Sequence, residues 1–182
     1  NARKAVEEKR ADFTPVFFHE VPKLFREGNM PVDVALVMVS RPNEEGYCSY
    51  GVSCDYSKPA VECAKVVIAE ANDQMPFIAG GDNLVHVSKL TKIVEVSYPL
   101  FELPKGKIGD IEKAIGEHCA SLIPDGATLQ LGIGSIPDAV LLFLKGKKDL
   151  GIHTEMFSDG IVELAEAGVV TGAKKSIHKG KM

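Results

Sequence analysis

Apolar positions in this chain gather into short continuous runs punctuated by glycine and proline, with helical periodicity in only a few places. Residues 32–39 read Val-Asp-Val-Ala-Leu-Val-Met-Val, and so little alternation predicts a strand buried on both faces. Residues 65–71, centred on Val66, Val67 and Ile68, predict another strand, and Ile93-Val94-Glu95-Val96 a brief one. Between the first two lie a turn at 41–46, a short strand within 47–52 and a helix from Ser57, read as its N-cap, to about residue 64. Earlier, Val16, Phe17, Val21, Leu24 and Phe25 predict a short helical segment over 15–28, interrupted near Pro22 and ended by Gly28. Residues 72–87, with Pro76 and Gly80-Gly81, read as loop, and His86 as a packed residue between two valines.

The stretch 99–109 contains Pro99, Pro104, Gly106 and Gly109 and marks a candidate domain boundary, giving domains 1–105 and 106–182. Beyond it, Ile108, Ile111, Ile115, Cys119 and Leu122 recur at helical spacing and predict an amphipathic helix over 109–122. A strand at 128–131 runs into Gly132-Ile133-Gly134, where Ser135 and Asp138 resemble a capping box and Pro137 suits a first helical turn. That helix is expected to run to about Lys145 and stop at Gly146. A strand over 150–153 then delivers Glu155, and residues 160–166 return to helix. Strands alternating with helices predict an α/β protein: an open, largely parallel sheet with flanking helices.

Composition narrows the function classes more than the fold. A net charge of −4 without a basic block argues against nucleic acid as a partner. The longest apolar runs, residues 34–39 and 139–144, are too short to cross a bilayer. Cys48, Cys54, Cys63 and Cys119 form no Cys-x-x-Cys pair and have no histidine at zinc-finger spacing, so reduced thiols in a cytoplasmic protein are expected, with no metal. With 182 residues the chain can build one good core or two small ones. It begins at Asn1 rather than Met and ends without an evident terminal element, which predicts a piece of a longer protein.

Candidate chemistry sits at the two strand ends of the second half. Parallel strands joined by a crossover helix end on one edge of their sheet, and ligands bind there in open α/β folds. Gly132, Gly134 and Glu155 therefore share an edge. Backbone N–H groups at a helix start can receive an anion or a polarised carbonyl, which a glutamate on the neighbouring strand end could attack. The plainer readings stand beside this one. A Gly-x-Gly turn can simply let a helix pack, Glu155 can be a cap or a surface residue, and Gln130 can be an ordinary polar strand residue. His153 and Glu155 could also form half of a metal site, but no third ligand is apparent.

The segments Gln130-Leu131-Gly132-Ile133-Gly134-Ser135-Ile136-Pro137-Asp138-Ala139-Val140, Leu150-Gly151-Ile152-His153-Thr154-Glu155-Met156 and Ser158-Asp159-Gly160 resemble the acetyl-CoA hydrolase/transferase family of CoA-transferases. Phe13 to Pro22, Asp33 to Ser40, Gly81-Asp82 and Val85-His86-Val87-Ser88 extend the resemblance in the same order. It implies two related α/β domains with the site between them, incomplete here because family members are more than twice as long. It implies that Glu155 is the nucleophile, that Gly132, Ile133, Gly134, Ser135 and Ile136 lie against coenzyme A, and that Gln130 is at the active site. The implied activity is ping-pong CoA transfer between an acyl-CoA and a small carboxylic acid, such as 4-hydroxybutyrate or butyrate with acetate. Coenzyme A is then a co-substrate, no cofactor is held permanently, and a homodimer is implied. Hydrolysis of the acyl-CoA, or a non-catalytic CoA- or nucleotide-binding module, are the alternatives.

Overall fold

Three parallel strands in the order β1–β3–β5 form the main sheet of the first half: β1 (Val34–Ser40), β3 (Val66–Asn72) and β5 (Lys92–Val96). The computed structural model describes residues 2–104 and 106–182 and divides into two units, Asn1–Phe101 and Glu102–Met182. The boundary expected at 105 falls on a residue outside those described.

In the first unit, α1 (Arg3–Glu7) and α2 (Val21–Arg26) precede the sheet, β2 (Tyr47–Ser49) follows β1, and α3 (Ser57–Cys63) connects to β3. Pro22 lies in the first turn of α2, where its missing N–H has no helical partner to lose, so it starts this helix rather than interrupting it. Ser57 is likewise the first residue of α3 and not its N-cap; Asp55 Oδ1 accepts the Ser57 N–H at 3.3 Å. The stretch read as loop contains β4 (Leu84–His86), antiparallel to β2, with Tyr47 opposite His86. A three-residue strand is too short to show alternation above the noise of a glycine-rich segment.

The expectation for residues 32–39 is corrected on one face. Ala35 and Val39 join Val61, Val67, Ala69 and Ala71 in a buried core, whereas Val34 and Leu36 point away from it and Leu36 is 76% exposed. Register puts Val34, Leu36 and Met38 beside Val66, Ile68 and Glu70 on this second face.

The second unit has the order α4 (Asp110–Ser121), β6 (Thr128–Leu129), α5 (Ser135–Leu142), β7 (Gly151–Ile152) and α6 (Asp159–Glu166), with β6 parallel to β7. The strand-helix-strand-helix order is the one read from the sequence. Its core holds Leu141, Leu144, Leu150, Ile152, Ile161 and Leu164, all at 2% exposure or less. Helix α4 forms where expected, but its apolar stripe is not its packed face. Gly116 and Ala120 are buried, while Ile111 and Leu122 are 74% and 82% exposed. The helix instead approaches α5 through Gly116, closely enough that a Cβ there would sit 2.8 Å from the Ala139 carbonyl. Helix α5 ends at Leu142, three residues early. Phe143 and Leu144 donate to Val140 and Leu141, so the last turn tightens to i→i−3 bonding before Gly146.

Candidate active site

The site begins with the β6–β7 ladder. Thr128 lies opposite Gly151 and Leu129 opposite Ile152. Strand pairing ends there, and Gly132 and Glu155 each follow three residues later. Both fall at the C-terminal edge of the strand pair, the edge where open parallel sheets bind ligands.

Each strand end is held by identifiable bonds. The N–H of Gly151 donates to the Ala127 carbonyl and that of His153 to Leu129, each at 2.9 Å. At the next step the pairing passes from backbone to side chain. Thr154 Oγ1 donates to the Leu131 carbonyl at 2.9 Å and accepts the Leu131 N–H at 3.1 Å. On the far side of β7, the Leu150 carbonyl accepts from Thr171 and Gly172 at 3.0 Å. The Ile152 carbonyl accepts from the Lys175 ammonium at 2.9 Å. That ammonium also donates to the Lys181 carbonyl at 2.7 Å, and Lys175 as a whole is 3% exposed.

Beyond β6, the chain turns through Gly132 and Ile133 to Gly134, whose φ of 124° and ψ of 178° are open to glycine and strained for any other residue. Gly134 is the N-cap of α5 and no side chain caps that end, so the expected capping box does not form: Ser135 is already the first helical residue. The first-turn N–H groups of α5 are left without the usual internal acceptor, the condition under which a helix start attracts an anion or carbonyl oxygen. Asp138 N–H already donates to the Gly134 carbonyl at 3.2 Å.

Glu155 is exposed just past the ladder, and among the described residues its carboxylate has no hydrogen-bond or ion-pair partner. Gln130 is exposed on the β6 side. Gly132, Ile133, Gly134 and Ile136 are also exposed, and Ser135 is half-buried. Next to them a cleft of about 260 Å³ is walled by Ile108, Ile133, Gly134, Leu141, Leu142 and Phe157. Its polar lining comes from Asp138, Lys145, Ser158, Asp159 and Glu163, with Lys145 Nζ 4.0 Å from Glu163. Ile133 and Gly134 are thus the predicted residues that line the cleft; Gln130, Gly132, Ser135, Ile136 and Glu155 lie outside its lining. Among the described residues no three potential metal ligands converge, so His153 and Glu155 gain no third partner.

Sequence reasoning passed over Thr154, Lys175 and Phe157. Thr154 could have been suspected as a hydroxyl beside the strand end. For Lys175 no signal exists, since Lys174 and Lys175 are adjacent and only packing distinguishes them.

Comparison with known proteins agrees with this architecture. Over 180 residues the chain is 64% identical to a 4-hydroxybutyrate coenzyme A transferase of Clostridium kluyveri, covering 99% of this chain and 42% of the relative. It is 39% identical to a butyryl-CoA:acetate CoA-transferase of Anaerostipes caccae, covering 97% of this chain and 41% of that one. The crystal structure of 4-hydroxybutyrate CoA-transferase from Porphyromonas gingivalis superposes with a TM-score of 0.87 at 58% identity, over 100% of this chain and 46% of that one. The chain therefore spans about two fifths of the length of the curated relatives it matches. Residues 1–99 match the acetyl-CoA hydrolase/transferase N-terminal domain. The chain belongs to the acetyl-CoA hydrolase/transferase family.

Proposed function

We propose that the protein containing this chain transfers coenzyme A between an acyl-CoA and a small carboxylic acid, with Glu155 as nucleophile. The observation that supports the reading is the parallel β6–β7 pair, whose last residues, Leu129 and Ile152, lie three residues before Gly132 and Glu155, so that the glycine turn opening α5 and the glutamate both follow the C-terminal ends of the strands. The names of the relatives, transferases acting with 4-hydroxybutyrate or with butyryl-CoA and acetate, support both the reaction class and short-chain acids as substrates.

The Glu155 carboxylate attacks the thioester carbonyl carbon, the C–S bond breaks, and CoA leaves as the thiolate with an acyl-glutamyl anhydride behind it. The thiolate then attacks the glutamyl carbonyl, expelling the first carboxylate and leaving a glutamyl-CoA thioester. An incoming carboxylate repeats the two steps in reverse and departs as the new acyl-CoA. One thioester is exchanged for another, so no ATP enters the balance. Each addition puts negative charge on a carbonyl oxygen, and the N–H groups of the Gly132–Ile136 turn are assigned to it as donors. Such oriented donors typically change turnover by about 10²–10³-fold. Gln130, at the mouth of the same edge, is assigned to the substrate side of the site. The cleft beside Ile133, with Ile108, Leu141, Leu142 and Phe157 in its wall, offers apolar surface to the acyl-CoA.

The test is to incubate the full-length protein with acyl-CoA and acceptor acid and to look for CoA on the Glu155 peptide by mass spectrometry. The adduct is expected in the wild type and absent in Glu155→Gln, whose turnover should fall by about 10³-fold or more. An unmodified peptide during turnover would sink the assignment. Acyl-CoA consumption that does not depend on acceptor acid would redirect it to hydrolysis. CoA binding without any adduct, equal in both proteins, would redirect it to a binding module.

A further inference from the structure

The residue before the nucleophile is bonded in a way that a continuing strand would not need. Along β7 the N–H groups of Gly151 and His153 donate to Ala127 and Leu129, a step of two residues on each strand. Continuation would bring the Glu155 N–H to the Leu131 carbonyl. Instead the Thr154 hydroxyl takes that carbonyl and also the Leu131 N–H, at 2.9 and 3.1 Å. Both backbone groups of Leu131 are therefore satisfied by one side chain, and the Glu155 peptide leaves the ladder.

This substitution has a geometric consequence. A side chain between two backbones holds them farther apart than a direct N–H···O=C bond does, so the strands separate where a reacting carbonyl must enter. They remain tethered, because a hydroxyl both donates and accepts. Threonine suits the task further, since its branched Cβ restricts χ1 and a half-buried side chain has few ways to turn. The Lys175 bond to the Ile152 carbonyl fixes the other side of the same strand two residues earlier. Thr154 is consequently the last tie before Glu155 and the only one among the described residues that reaches from its strand to the residue before Gly132.

We propose that Thr154 is a positioning residue: its hydroxyl bridge to Leu131 sets the separation between the Glu155 carboxylate and the glycine turn. The proposal rests on the reading of Glu155 as nucleophile and adds a group that touches neither substrate nor reacting atoms. A misplacement of about 1 Å at a reacting centre can cost on the order of 10²-fold in rate.

The experiment compares Thr154→Val, Thr154→Ser and Glu155→Gln in the full-length protein, with circular dichroism and thermal melting to verify folding. Thr154→Val keeps the shape and removes both bonds. Its kcat is expected to fall about 10²-fold, with KM for the acyl-CoA within about threefold and the Glu155–CoA adduct forming correspondingly slowly. Thr154→Ser keeps the hydroxyl and is expected to stay within about threefold of wild type in both constants. A folded Thr154→Val that loses less than tenfold in kcat, or that loses through KM instead, overturns the proposal. If Thr154→Val does not fold, Thr154→Ser decides: retention within threefold supports the hydroxyl bridge, and a larger loss overturns it. Glu155→Gln separates the two failures. A fully active Glu155→Gln overturns the nucleophile assignment and this proposal with it. An inactive Glu155→Gln beside a fully active Thr154→Val overturns the positioning role alone.

Discussion

Cys48 and Cys119 show how one residue type takes opposite roles from its surroundings. Cys48 lies in the first-unit core at 0% exposure, opposite Val85 in the β2–β4 pair, and burial pushes its thiol above the ordinary value. Cys119 is exposed on α4. Because burial disfavours the thiolate, the Cys48 contribution to stability is present at neutral pH, below the ordinary thiol pKa. It is lost only as pH rises through the raised value. Alkylation depends on thiolate and access together. Iodoacetamide at pH 8 is therefore expected to modify Cys119 and leave Cys48 intact, with Cys48 becoming reactive in denaturant. Peptide mapping reads both, and equal labelling in the folded protein would contradict the burial described.

At the scale of elements, the α4–α5 contact turns on the absence of a side chain. Gly116→Ala would gain up to about 1 kcal/mol in helix propensity. Its Cβ, however, would stand 2.8 Å from the backbone carbonyl of Ala139, which cannot rotate away as a side chain could. Overpacking of that kind costs about 1–3 kcal/mol, so the substitution is expected to destabilise the protein on balance, as urea denaturation would show. This contact also marks the limit of what was legible in the sequence. Strand-helix-strand-helix order and the strand-end placement of Gly132 and Glu155 followed from apolar runs and glycine punctuation, because a parallel pair fixes which ends share an edge. The packed face of α4 did not follow. Its large residues, Ile111 and Leu122, outweigh Gly116 and Ala120 in any periodicity, yet two helix backbones come together where residues are smallest. Thr154 was hidden for a related reason. Whether a hydroxyl bridges two strands depends on where backbone pairing stops, and that is decided by both strands at once.

Across the whole molecule, each unit leaves apolar surface uncovered. The main sheet is packed on the face of Ala35, Val39, Val67 and Ala69 and open on the face of Val34, Leu36 and Val94. The continuous apolar run of β1 predicted burial on both faces, and one of them is instead exposed at Val34 and Leu36. Exposed apolar side chains on one sheet face favour association. The 182-residue chain expressed by itself is expected to self-associate with rising concentration, and Leu36→Ser with Val94→Ser to shift it towards monomer in sedimentation. If the double substitution leaves the association unchanged, the sheet face is not what drives it.

Lys175 carries a consequence for how the end of β7 can be watched. Its amine is sealed beside β7, hooked to the Ile152 carbonyl on one side and the Lys181 carbonyl on the other. An acylating reagent that marks outward-facing lysines within seconds passes over this one until the segment lifts. The rate at which Lys175 is finally tagged is thus a clock for how often the segment after β7 lets go, and it runs without any substrate present.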